Sequence, residues 1–315
     1  MGLFKKVEET KSGLKVLAFG STGTGKTTFA LSFPEVVAID SEAGMAFYKK
    51  NPNLKHILET TSCTDVEEAL EEIEDELMDE IGTFVIDSET KIYENMQIGG
   101  LSVAEKRARV KGQSVDDANL SQREWGKIKM INKKLQASKI MLGSRGVNVI
   151  SIAQEKELKE KKGDNWVVVG HAPDTAKAFE YDYDISLRLF TETDSSGEEI
   201  YKAEVRKDRT QVFKKNQIIE NPSFDMWKDV YDHFSNLKED VVNYKEDAKK
   251  DETKMESELE HMDKLIASFK TTMKSMTKGN QTKVQEKLKE LKIENPLRTH
   301  DYEGMKKLME FVETL

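Results

Sequence analysis

Gly20-Ser21-Thr22-Gly23-Thr24-Gly25-Lys26-Thr27-Thr28 is the stretch that decides the fold. Through Thr27 it fits the pattern G-x-x-x-x-G-K-[ST]. Before it, the apolar segment 14–19 predicts a buried strand, and the segment after it predicts a short helix that ends before Pro34. Because such a turn points backbone N–H groups inward, the stretch predicts a loop that binds the phosphates of a nucleoside triphosphate. Lys26 would reach the β- and γ-phosphates, and the Thr27 hydroxyl would ligate Mg²⁺.

The composition bounds the class of protein. The chain has 315 residues, of which 37% are hydrophobic and 34% charged, enough for one α/β domain and a smaller appendage. The sequence contains no apolar run of membrane-spanning length and no secretory signal, so we expect a cytoplasmic protein without a membrane partner. A single cysteine, Cys63, excludes an intramolecular disulfide and a cysteine metal cluster.

Charge is segregated along the chain although the net charge is −9. Residues 65–80 contain ten acidic and no basic side chains, whereas residues 101–145 contain eleven Lys or Arg against four Asp or Glu. Local charge, rather than net charge, decides contact with nucleic acid. The acidic stretch keeps apolar residues at helical spacing and predicts an amphipathic helix with a solvated acidic face.

Strand and helix patterns alternate through the first part of the chain. Besides the strand before the glycine-rich loop, segments 36–40, 83–87 and 147–153 are apolar and predict buried strands, with helices between them. This alternation predicts an α/β fold with a mainly parallel central sheet and helices on both faces. Ligands bind at the carboxyl ends of such strands.

The domain organisation follows from the later part of the chain. We assign residues 1–237 to the nucleotide-binding domain. Residues 238–256 are charged and poor in large apolar side chains, which predicts a linker or an exposed helix. Residues 257–315 show three helical patterns separated by breaks and predict a small C-terminal α-helical module.

Three polar residues follow the predicted strands. Asp87 ends an apolar strand and suits a carboxylate that holds Mg²⁺ through water; its alternative role is to cap the next helix. Glu42 lies two residues past the second strand, where it can accept a proton from the attacking water, and Asp40 is the rival for that role. Gln154 follows the fourth strand, where its amide can sense a γ-phosphate or simply lie on the surface.

These motifs resemble those of the RecA family in their order along the chain. Ile39-Asp40-Ser41-Glu42-Ala43 is similar to the strand that presents the catalytic glutamate, and Val85-Ile86-Asp87-Ser88 to the Walker B strand. Gln154 resembles the γ-phosphate-sensing glutamine. Lys207-Asp208-Arg209 resembles the pair of basic residues that reach a neighbouring subunit's nucleotide. The resemblance implies a RecA-like P-loop ATPase that uses ATP and Mg²⁺ and assembles as a ring or filament of identical subunits.

Over residues 14–235 the chain looks most like the phage RecA-like ATPases grouped with single-strand annealing proteins, the Sak type. The segment 19–28, Asp40-Ser41-Glu42 and Lys207-Asp208-Arg209-Thr210 carry this resemblance. It implies a DNA-stimulated ATPase that binds single-stranded DNA and acts in homologous recombination or strand annealing. For a phage-encoded protein the compartment would be the host cytoplasm.

The same resemblance implies two DNA-binding loops. Residues 102–123 correspond to the first and residues 155–170 to the second. In the first, phosphate contacts would come from basic side chains at Lys106, Arg107, Arg109 and Lys111. Trp166, in the second, either stacks on a base or packs inside a strand, and we favour the packed position.

Two other functions remain open from the sequence. A helicase-like or loader ATPase serving replication would use the same core as a motor. An ATP-gated interaction module would bind ATP with little turnover and recruit a partner, such as a single-strand-binding or replication protein, through residues 257–315. A GTPase is disfavoured because Asn132-Lys133-Lys134-Leu135 lacks the aspartate of the guanine-reading N-K-x-D motif.

Overall fold

The structure, a computed structural model, describes residues 4–240, 243–299 and 301–315, and for 257–260 the backbone alone. The chain divides into two compact units, Met1–Val242 and Asn243–Leu315. Among the described residues, no helix combines the length and apolar character that crossing a membrane requires.

A central sheet organises the first unit. Its strands in the described residues are β1 (Lys15–Gly20), β2 (Val36–Asp40), β3 (Leu54–Glu59), β4 (Thr83–Asp87), β5 (Asn148–Lys162), β6 (Asn165–Pro173), β7 (Ile185–Thr193), β8 (Glu199–Asp208) and β9 (Ile218–Glu220). They are ordered β3-β2-β4-β5-β1-β7-β8-β9, and β6 pairs with the outer half of β5. The strands from β3 to β7 in this order are parallel, while β8 and β9 are antiparallel. The predicted α/β fold with a mainly parallel sheet is confirmed.

Helices cover both faces of this sheet. They are α1 (Lys26–Ala30), α2 (Cys63–Glu72, continued by a π-helical turn at Ile73–Leu77), α3 (Glu89–Val110), α4 (Gln122–Ser144) and α5 (Lys228–Ser235). Successive strand residues point to opposite faces, so Ala38 packs in the core that contains Trp227, and Ile39 packs in the core that contains Ile128. Burial of β1, β2 and β4 on both faces explains their continuous apolar sequences.

Side-chain hydrogen bonds fix the start of α4. Ser121 is its N-cap, and a capping box joins Ser121 and Glu124 reciprocally. Such a box satisfies backbone N–H groups that the first turn of a helix leaves without an intrahelical partner.

The second unit contains α6 (Tyr244–Ser275), α7 (Lys278–Glu290) and α8 (Tyr302–Glu313). Phe269, Val284 and Leu308 lie in one buried cluster to which all three helices contribute. Residues 244–256 of the charged segment form the first part of α6, and residues 241–242 lie outside the described residues.

Two segments expected to be loops are regular structure instead. The first DNA-loop segment, 102–123, is helical through Val110 because α3 tolerates its two interior glycines. Gly100 packs so closely that an added Cβ would lie 2.8 Å from Leu120 Cδ2. The charged segment after Gln154 continues as β5 to Lys162, because the backbone of β6 pairs with it. The apolar patterns of the sequence did not predict the edge strand β3, because most of its side chains are exposed.

Candidate active site

The carboxyl ends of β1, β2, β4 and β5 meet at one edge of the sheet. In the strand register Gly20 lies beside Gln154, and Asp40 lies beside Asp87. Strand β5 separates β1, which leads into the glycine-rich loop, from β4. A cavity of about 540 Å³ opens at this edge, and its lining includes the whole stretch 20–28. This volume is within the range of small-molecule sites, roughly 300–1,000 Å³.

The glycine-rich loop forms a concave cradle that side chains would fill. Gly25 has φ +82°, and a Cβ at Gly20 would lie 2.2 Å from the carbonyl oxygen of Leu189. Lys26 Nζ donates to the carbonyl oxygens of Gly20 (2.9 Å) and Ser21 (2.5 Å), so its ammonium lies over the loop. Burial lowers the pKa of Lys26, and the nearby carboxylates oppose that shift. A cation above a backbone cradle fits a triphosphate.

Thr27 and Asp87 provide the oxygen atoms that suit Mg²⁺. Thr27 Oγ1 donates to Asp87 Oδ2 at 2.6 Å. Burial raises the pKa of Asp87 to about 6; the hydrogen bond from Thr27 opposes this shift, and the charges of Glu42 and Asp40 add to it. Hydroxyl and carboxylate oxygens are the ligands that this hard cation prefers, so the donor set fits the metal that the loop implies.

Glu42 and Gln154 are brought together at the cavity. Glu42 Oε1 accepts hydrogen bonds from Gln154 Nε2 (2.8 Å) and Ser88 Oγ (2.6 Å). The backbone N–H of Gln154 in turn donates to Thr90 Oγ1 at 3.0 Å. Ser88 and Thr90 belong to the start of α3, so this segment positions both predicted residues.

Asp40 holds the turn that carries Glu42. Its buried carboxylate accepts backbone N–H groups of Glu42 and Gly44 on Oδ1, both at 3.1 Å, and of Met45 on Oδ2 at 2.7 Å. A buried carboxylate whose two oxygens already accept three backbone N–H groups is poorly placed to contact an attacking water. Of the two sequence candidates for activating water, the geometry therefore favours Glu42.

Lys207 and Arg209 lie outside the lining of this cavity. Lys207 Nζ donates to the carbonyl oxygens of Glu180 (3.2 Å) and Tyr183, and Arg209 Nη1 donates to Asp184 Oδ1 at 3.1 Å. Burial lowers the pKa of Lys207, and the neighbouring Arg209 charge lowers it further. Both cations contact the segment that precedes β7 rather than the nucleotide edge.

The four candidate DNA contacts lie at the C-terminal end of α3 rather than in a loop. Lys106, Arg107 and Arg109 belong to the helix and Lys111 is its C-cap. Arg107 pairs with the buried Glu124, so this side chain has a structural partner. The side chains of the other three are exposed.

Sequence reasoning missed three cavity-lining side chains: Tyr48, Glu155 and Tyr201. Tyr201 lies on the glycine-rich loop, where a Cβ at Gly25 would approach its Cδ1 to 3.1 Å. Aromatic faces of this kind can stack on a nucleobase. No local pattern could reveal Tyr201, because β8 reaches the loop only through the sheet order. Trp166 was expected to be packed, yet 67% of it is exposed on the free hairpin strand β6.

Comparison with known proteins finds one matching family and a similar solved structure. Residues 12–219, about two thirds of the chain, match the family model of the AAA domain. Among solved structures, the flagellar accessory protein FlaH from Methanocaldococcus jannaschii is similar, with 10% identity and a TM-score of 0.36; the match covers 74% of this chain and 92% of FlaH. No curated protein matches the chain.

Proposed function

The chain belongs to the AAA-domain family, and from that premise we propose that it couples ATP to single-stranded DNA in phage-type recombination or strand annealing. Its P-loop ATPase core has a RecA-like fold, which supports ATP binding and hydrolysis. The observation that carries the finer proposal is the course of β5. This strand runs from the nucleotide edge at Gln154 directly into an exposed hairpin.

The hairpin of β5 and β6 has the side chains that single-stranded nucleic acid requires. Its exposed aromatic is Trp166, and its exposed cations are Lys156, Lys159, Lys161 and Lys162. Nonspecific single-strand binding combines base stacking on aromatic rings with cations along the phosphates. The exposed Lys106, Arg109 and Lys111 at the end of α3 would add phosphate contacts.

The hydrolytic roles follow from the site geometry. Bound ATP would supply the phosphoryl group, and Mg²⁺ would neutralise part of the negative charge on its phosphates. Lys26 would hold phosphate oxygens, and Thr27 with Asp87 would hold the metal. Glu42 would accept the proton of the attacking water, and Gln154, hydrogen-bonded to Glu42, would relate the state of the site to β5.

We assign Lys207 and Arg209 to a neighbouring subunit's nucleotide in a homo-oligomer. The side chain of Arg209 is 58% exposed, so it can exchange Asp184 for an anionic partner. We expect Arg209→Ala to lower turnover while preserving nucleotide binding, measured by steady-state hydrolysis and nucleotide titration. Equal turnover would reject the bridging role.

Single-stranded DNA binding is tested by fluorescence anisotropy. The full chain is titrated into a labelled oligonucleotide with ATP and Mg²⁺ at low salt. We expect binding that weakens steeply with added salt, because released counterions accompany each phosphate contact. No binding at low salt would contradict the proposed function.

A second candidate is the ATP-gated interaction module. It is favoured by the separate hydrophobic core of the unit Asn243–Leu315, which would recruit a single-strand-binding or replication protein. Negligible turnover that Glu42→Gln leaves unchanged would support this module against the ATPase. A helicase-like or loader ATPase would instead displace strands without annealing them.

A further inference from the structure

Glu155 is an acidic side chain inside a site built for anions. It follows Gln154 as the first hairpin residue, lines the nucleotide cavity, and its side chain is only 10% exposed. Its Oε1 accepts from Ser21 Oγ of the glycine-rich loop at 2.5 Å, and its Oε2 accepts from Arg188 Nε at 2.8 Å. His171 Nδ1 lies 3.5 Å from Oε2.

The carboxylate is charged at neutral pH. Burial opposes ionisation, but the hydrogen bonds from Arg188 and Ser21, together with the charge of Arg188, hold the pKa of Glu155 below its ordinary value. A negative charge at this position repels phosphate groups and keeps the Ser21 hydroxyl engaged. Arg188 opposes that repulsion because its positive charge lies against the same carboxylate.

The backbone is held differently on the two sides of Glu155. The adjacent Gln154 is fixed, because its N–H donates to Thr90 Oγ1 and its carbonyl oxygen accepts the N–H of Asp174. Beyond Glu155 the strand has β6 as its only described pairing partner, with Glu157 opposite His171. A force on the hairpin therefore reaches Glu155 first.

We infer that the negative charge of Glu155, partly offset by Arg188, lowers the affinity of the site for the triphosphate until the hairpin is displaced. Withdrawal of the carboxylate from Ser21 frees a hydroxyl and removes a negative charge from the cradle. Occupancy of the hairpin and occupancy of the nucleotide site then favour each other, since such coupling is reciprocal. Only the identity of the hairpin ligand, single-stranded DNA, rests on the proposed function.

The charge role is tested by calorimetric titration of the full chain with ATP and Mg²⁺ at low salt. We expect Glu155→Gln to bind ATP about 5- to 20-fold more tightly, the effect of one unit charge near a phosphate. Arg188→Gln should bind more weakly by a similar factor, and Arg188→Lys should recover much of the loss. The double variant Glu155→Gln/Arg188→Gln should return close to the unmodified protein.

Glu157→Gln is the matched control, because this hairpin carboxylate pairs with Lys159 and lies outside the cavity. Its ATP affinity should be unchanged. Weaker ATP binding by Glu155→Gln, or equal loss in Arg188→Gln and the double variant, would overturn the charge role.

The coupling is tested by repeating the titration with a saturating oligonucleotide. ATP affinity of the unmodified chain should increase several-fold, and that of Glu155→Gln should change little. An equal increase in both would overturn the coupling through Glu155. If the oligonucleotide does not bind, the proposed DNA function fails, whereas the affinity order of the Glu155 and Arg188 variants still decides the charge role.

Discussion

The inner and outer halves of strand β5 differ in burial and in the strands with which they pair. The inner half, 148–153, is fully buried between β1 and β4, whereas residues 156–162 are exposed and pair only with β6 among the described strands. The boundary falls at Gln154 and Glu155, where the nucleotide cavity lies. One strand thus joins the buried core to the exposed hairpin, and the nucleotide cavity lies at the junction.

Removing the Glu42 carboxylate, which accepts a hydrogen bond from Gln154 at the end of the inner half, should have the largest effect on catalysis. Glu42→Gln keeps the shape of the side chain but removes the proton acceptor. We expect kcat to fall about 10²- to 10⁴-fold, the usual range for a general base, with ATP affinity retained. Steady-state hydrolysis and nucleotide titration measure the two quantities. Glu59→Gln, an exposed carboxylate on β3, is the control, and unchanged kcat in Glu42→Gln would remove Glu42 from the mechanism.

The buried network against the inner half should dominate stability. Lys139 is 2% exposed and donates to Glu89, to Ser151 Oγ on β5 (3.3 Å) and to Tyr183 Oη (3.1 Å). Burial lowers its pKa, and the charge of Glu89 opposes this shift. Lys139→Ala would leave Glu89 buried without its cation, so we expect a loss of about 3–5 kcal/mol.

Denaturant unfolding followed by fluorescence measures that loss, because Trp227 is buried in the first unit. Lys161→Ala, on the exposed half of the strand, is the matched control and should change stability by less than about 0.5 kcal/mol. Similar losses for the two variants would erase the contrast between the halves.

Asp87→Asn should stabilise the protein without nucleotide or Mg²⁺. A carboxyl whose folded pKa is raised to about 6 holds its proton more tightly folded than unfolded, so its contribution to stability falls as pH rises between about 4 and 6. The full cost is present at pH 7.5, about 3 kcal/mol, and roughly half of it at pH 5. Asparagine removes the free-energy cost of ionising a buried carboxyl, and its Oδ1 can still accept the hydrogen bond from the Thr27 hydroxyl.

Thermal unfolding at both pH values checks this expectation. The gain in unfolding free energy should be larger at pH 7.5 than at pH 5. Asp174→Asn, whose exposed carboxylate pairs with Lys156 at the base of the hairpin, should be neutral. Lower stability of Asp87→Asn at pH 7.5 would contradict the raised pKa.

The inner half could be predicted from the sequence, and the outer half could not. Residues 147–153 are mostly apolar, and Glu42, Asp87 and Gln154 lie at or just past the ends of apolar strands, so strand order alone brings them together. Glu155–Lys162 has no apolar alternation, because ladder hydrogen bonds to β6 make it a strand. Partners from distant strands, such as Arg188 for Glu155, leave no local signal.

Trp166→Ala should have the smallest effect of the series and act on the outer half alone. Loss of one stacking ring should weaken single-stranded DNA binding by about 1–3 kcal/mol. Unfolding free energy should stay the same, since the ring is mostly exposed. Trp125→Ala, an exposed tryptophan on α4, is the matched control for anisotropy titrations. Equal affinity of the two variants would remove Trp166 from the DNA contact.

The most direct test of the junction is the rate of ATP hydrolysis by the full chain with and without single-stranded DNA. Lys26→Ala, which lacks the ammonium over the glycine-rich loop, sets the background rate. We expect a several-fold higher rate with the oligonucleotide, because DNA bound to the hairpin of β5 and β6 would act on the site through Gln154 and Glu155. The same rate with and without the oligonucleotide would contradict coupling between the nucleotide site and the hairpin.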